Sequence, residues 1–175
     1  MRVNTNNLLS IIKGIMGENT TLYYKMCEIP MLQLAIFFDD QQFIEHLLSQ
    51  GVDINQKSKL WGTALHQAVK MQKYKLIKKL AKAGADLSAR DSQNRDFTPL
   101  HIAVEDNCYK ITKVLVNYGA DVKIVSTNKD NFGDSPLQIA LRSKNEKMIN
   151  LLLKNIKDSR DKLTYRSLKA LMKDF

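Results

Sequence analysis

Apolar residues along this chain fall in short clusters at helical spacing, and the clusters come in pairs. Leu100, Ala103 and Val104 mark one short stretch, and Ile111, Val114, Leu115 and Tyr118 mark a second. A recurrence of three to four residues is that of a helix with one buried face. The first stretch begins at Thr98, whose hydroxyl can accept from free amide groups, with Pro99 preset for the first turn. The second ends at Gly119, suited to the left-handed conformation that closes a helix. The pattern predicts a helix, a tight turn, a second helix and then an extended excursion.

That unit recurs. Pro30-Met-Leu-Gln-Leu-Ala35, Thr63-Ala-Leu-His-Gln-Ala68, Thr98-Pro-Leu-His-Ile-Ala103 and Ser135-Pro-Leu-Gln-Ile-Ala140 align, with successive alanines 33, 35 and 37 residues apart. Gly51-Val-Asp53, Gly84-Ala-Asp86 and Gly119-Ala-Asp121 follow, each glycine 16 residues after its alanine. Two landmarks holding one spacing through three units define a repeat. One helix pair cannot cover its own apolar face, so the units must stack into a continuous core, with the small alanines allowing close approach.

The period and the Thr-Pro-Leu-His-x-Ala motif resemble the ankyrin-repeat family, over residues 30–155. The resemblance implies an all-α solenoid of about four helix-turn-helix repeats with capping helices at both ends. The divisions expected are a cap or degenerate repeat at 1–29, repeats at 30–62, 63–97, 98–134 and 135–158, and a closing helix at 159–175. Leu8, Leu9, Ile12, Ile15 and Met16, closed by Gly17, predict the leading helix; Tyr165, Leu168, Leu171 and Met172 predict the last. From each Gly-x-Asp aspartate to the next Thr or Ser the steps are 10, 12 and 14 residues, so loops 87–97 and 122–134 are extended. Insertions in repeat proteins map to loops on one face, often the binding face.

Composition narrows the reading. With 44% hydrophobic and 26% charged residues the 175-residue chain can bury a core, which sets aside low-complexity disorder. No apolar run approaches the ~20 residues of a membrane span, and no secretory signal is expected. Two cysteines, Cys27 and Cys108, suit a reducing compartment and support neither a disulfide framework nor a zinc cluster. A cytoplasmic monomer is expected. Small ankyrin proteins include inhibitors and secreted bacterial or viral effectors, which would place the chain in a host cytosol or nucleus.

Candidate chemistry is sparse. No phosphate loop, nucleophile elbow or His-Glu-x-x-His motif occurs, so no enzyme, cofactor or metal is expected. The resemblance implies that His66 and His101 make structural hydrogen bonds to neighbouring turn backbone, and His46 is expected to face solvent. The resemblance also places the pairs Phe37-Phe38, Lys70-Met71, Glu105-Asp106 and Arg142-Ser143 on a concave groove, with Lys59, Leu60, Trp61, Arg95, Phe97 and Phe132 on fingers between repeats. Trp61 and Asp96 stand where the family usually carries glycine. Phe37 and Phe38 read either as partner anchors or as residues covered by 1–29. The expected function is non-enzymatic protein binding by this groove and its fingers.

The alternative rests on charge. The net charge is +9, and eight lysines with no acid lie between Gln56 and Lys82. Lys75, Lys78, Lys79 and Lys82 share one helix face, which is either a solvated stripe or a contact for nucleic acid, anionic lipid or acidic protein. Aromatics do not alternate with these lysines along the chain, and Tyr74 alone is a poor stacking platform, which counts against nucleic acid.

Overall fold

The computed structural model describes residues 29–91, 96–127 and 133–156. Among these are eight helices in four antiparallel pairs. The first of each pair has seven residues: α1 (Met31–Phe37), α3 (Ala64–Lys70), α5 (Pro99–Glu105) and α7 (Pro136–Arg142). The second has nine: α2 (Gln41–Ser49), α4 (Tyr74–Lys82), α6 (Tyr109–Asn117) and α8 (Glu146–Lys154). The expected helices at the two chain ends lie outside the described residues.

Each short helix starts as its sequence dictates. Thr63, Thr98 and Ser135 accept from the backbone of the third helical residue, whose own side chain, His66, His101 or Gln138, accepts from the cap residue's N–H. These reciprocal bonds satisfy donors that the first helical turn leaves open. The first helices pack against one another in a row, with Ala35, Ala68, Ala103 and Ala140 wholly buried at their crossings. Leu65, Leu100, Leu115 and Leu152 fill the space between the rows without solvent exposure, and truncating one such leucine to alanine typically costs about 2–5 kcal/mol.

Neighbouring units are also stapled by polar side chains. Nε2 of His66 lies 3.0 Å from the carbonyl oxygen of Phe97, and Nε2 of His101 lies 3.0 Å from that of Asp134. In the first unit Gln33 occupies the same position and donates to the Gly62 carbonyl at 2.9 Å. Each staple therefore reaches the residue just before the next unit's capping Thr or Ser. The aspartates of the Gly-x-Asp landmarks fold the chain after each pair, Oδ1 of Asp53, Asp86 and Asp121 accepting from the N–H two residues on.

The unequal repeat lengths are absorbed at the fingertips. Ser58 pairs with Gly62, Asp91 with Phe97, and Ser126 N–H donates to the Asp134 carbonyl at 3.0 Å. Between these paired bases stand 59–61, 92–96 and 127–133, so each finger is two residues longer than the last while its base keeps the same attachment to the helices. The shortest finger uses Gly62, at φ +68°, immediately before Thr63. A Cβ there would come within 3.1 Å of the His66 ring and 3.3 Å of Asp91 Cβ.

Candidate functional site

The ends of the short helices and the bases of the fingers carry a row of exposed side chains, one group per unit. At its first end, Phe37 is 46% exposed and sits on an aromatic platform. Its ring stacks on Trp61 at 5.1 Å, with planes 14° apart, and meets Phe38 edge-on at 5.2 Å. Phe38 and Trp61 are half-buried against the core, as is Met71. Trp61 is thus no free fingertip; its substitution for the expected glycine places an indole under Phe37. Leu60 is exposed beside it, as is Lys59.

Phe97 is a correction to the sequence expectation. It is 2% exposed, its carbonyl meets His66, and its ring stacks on His101 at 5.2 Å, so it belongs to the core and is withdrawn from the contact surface. Asp134 holds the equivalent place and its carbonyl is stapled the same way, yet its side chain turns out to Arg142; at position 97 the apolar ring packs inward against His101 instead. Arg95 and Phe132 lie outside the described residues.

Further along, charge replaces apolar contact. Lys70 Nζ is 3.1 Å from Oδ2 of Asp91, whose side chain is fully buried, so this lysine holds a finger base in place while remaining partly exposed. Glu105 and Asp106 follow, both exposed. Partial desolvation of its carboxyl, together with repulsion from Glu105, raises the Asp106 pKa above the usual carboxylate value. Arg142 pairs with Asp134 of the third finger and stays largely exposed. The surface therefore runs from aromatic through basic and acidic to basic.

The histidines are structural. Nδ1 of His66 accepts the Thr63 N–H at 3.2 Å, which puts the ring proton on Nε2 to donate to Phe97. Burial lowers the His66 pKa to about 4 and lowers that of His101 in the same direction, so both are neutral at pH 7. His46 is exposed. Burial and the nearby Asp106 raise the Cys108 thiol pKa, which leaves it a weak nucleophile. Among the described residues no group of three or more His, Cys, Asp or Glu could hold a metal ion, and no helix is long and apolar enough to cross a membrane.

A second surface lies on the longer helices. Lys75, Lys78, Lys79 and Lys82 are exposed on α4 as expected, but they are not equivalent. Lys79 pairs with Glu45 of α2, and Lys78 Nζ sits 4.7 Å above the Tyr74 ring. Between α4 and α6 opens a cleft of about 670 Å³, lined by Tyr74, Lys78, Tyr109, Lys110, Lys113 and Tyr118 among others. Tyr118, which the spacing assigned to the buried face of its helix, is 36% exposed, and Tyr109 carried no signal along the chain because its cleft partners come from the preceding repeat. Aligning the units would have found one of them: Tyr74 and Tyr109 each stand six residues after their unit's alanine.

A family model described as Ankyrin repeats (3 copies) matches residues 31–126 and 92–162. A protein of Fowlpox virus named for ankyrin repeats is 39% identical over 155 residues, covering 86% of this chain and 45% of that relative. A similarly named protein of Rickettsia felis is 34% identical over 86 residues, covering 49% of this chain and 22% of the relative. The chain spans less than half the length of these relatives. Ankyrin repeats are generally protein–protein interaction modules and generally without enzymatic activity, and the stacked capping boxes and inter-unit staples are the physical form of the matched repeat. The chain belongs to the ankyrin-repeat family.

Proposed function

We propose that this chain is a non-enzymatic adaptor or inhibitor that binds a partner protein through the surface of its short-helix ends and finger bases. The observation that carries the reading is Phe37, exposed by 46% yet backed by Trp61 and Phe38. A ring held rigid by its neighbours loses little conformational freedom on binding, and such aromatics dominate interface energetics. Lys70, the Glu105-Asp106 pair and Arg142 then set register and discriminate partners by charge. The surface acts by occupying or bridging its partner.

The test is affinity capture from cell lysate at about 150 mM salt, with nuclease treatment and mass spectrometry, comparing wild type with Phe37→Ala. One protein bound directly by purified wild type, and bound at least about tenfold more weakly by Phe37→Ala, supports the reading. Equal binding by both proteins refutes it.

A further inference from the structure

The cleft between α4 and α6 combines two features that the groove reading does not use. Three of the exposed large apolar side chains gather there: Tyr74 and Tyr109, each 40% exposed, and Tyr118 at 36%. The two helices carry six lysines and no acidic residue, and three of the lysines, Lys78, Lys110 and Lys113, line the cleft itself. Lys79 is drawn away by Glu45, whereas Lys110 and Lys113 make no ion pair among the described residues. Like charges crowded on neighbouring helix turns repel, so this array favours an incoming polyanion. A second hollow of about 660 Å³ shares Tyr74, Tyr109 and Lys110 and prolongs the cleft past Gln72.

We propose that this cleft binds single-stranded nucleic acid, with bases stacked on Tyr109 and Tyr118 and phosphates neutralised by Lys78, Lys110 and Lys113. Tyrosine is common at protein–protein interfaces but lysine is depleted there, so the three lysines are what set this cleft apart from a seat for protein. A basic groove that follows the backbone, with aromatic rings for the bases, is the general physical solution for single strands. The volume lies in the range of drug-sized ligands, enough for a nucleotide. The sequence argued against nucleic acid because tyrosines and lysines do not alternate along the chain; the stack interleaves them across two repeats instead.

Fluorescence anisotropy of a labelled oligothymidylate of about 16 nucleotides, titrated with the full chain, tests this. Three phosphate contacts predict a fall in affinity of about twentyfold between about 50 and 200 mM salt. Lys110→Glu with Lys113→Glu should abolish binding, and Tyr109→Ala with Tyr118→Ala should weaken it roughly tenfold or more. Tyr109→Phe with Tyr118→Phe keeps the rings and should retain affinity, as should Phe37→Ala, which separates this surface from the groove. The proposal is overturned if no binding occurs at about 50 mM salt, or if the double alanine variant, folded by circular dichroism, binds as wild type does. Equal competition by polyglutamate at matched charge would overturn it in favour of an acidic polypeptide.

Discussion

Acid should loosen the stack through His66, by an amount the structure sets. The imidazole titrates near 6.5 when exposed and is held at about 4 in the fold by burial. Well above pH 6.5 both folded and unfolded chains carry it neutral, and its contribution to stability is complete. Below 6.5 the unfolded chain takes up a proton that the folded chain refuses until about pH 4, so stability falls across that window. The slope approaches about 1.4 kcal/mol per pH unit, the loss reaches about 2 kcal/mol at pH 5, and it is complete at roughly 3 kcal/mol once pH drops below 4. His66→Gln removes the titration while keeping the staple, because Gln33 already shows a glutamine amide reaching the next finger's carbonyl from the equivalent position. Urea unfolding followed by circular dichroism at pH 7 and pH 5 gives the two stabilities for each protein. The variant should lose about 2 kcal/mol less than wild type over this interval. His101 and Asp106 titrate in both proteins and cancel in the comparison. Equal losses would refute the argument that neutral burial of His66 makes the fold acid-sensitive.

Two stability predictions follow from single positions. Gly62→Ala should cost roughly 1 kcal/mol more than Gly84→Ala in the same unfolding assay. Both sites have positive φ, but only at Gly62 does the new methyl press on the His66 ring and Asp91. Equal costs would show that the finger base yields freely. Gln67 is 3% exposed, and neither of its amide polar atoms has a hydrogen-bond partner among the described residues. Leu34, Ile102 and Ile139 fill the equivalent position elsewhere. Gln67→Ile should therefore raise stability by about 1–2 kcal/mol, seen as a higher urea midpoint; a lower midpoint would mean the amide is satisfied.

The chain's own pattern determined the local architecture of this protein. Thr63, Thr98 and Ser135 each start a helix because their hydroxyls satisfy open amides, and His66 and His101 follow at the spacing that closes the capping box. Such interactions span three or four residues, so they can be read along the chain, and the alanine period then shows that the units must stack. Interactions between units were decided by the tertiary structure. Phe97 looked like a finger residue and is core, because its ring lies against His101 of the following helix and is closed off from solvent. Trp61, which the chain alone places only on a finger, is the support of Phe37, a neighbour 24 positions away in the chain. Tyr109 and Tyr118 joined the lysines of α4 only when two repeats were laid side by side. Periodicity records which face of a helix is buried; the chemistry on the exposed faces depends on residues about 35 positions apart, which only packing brings into contact.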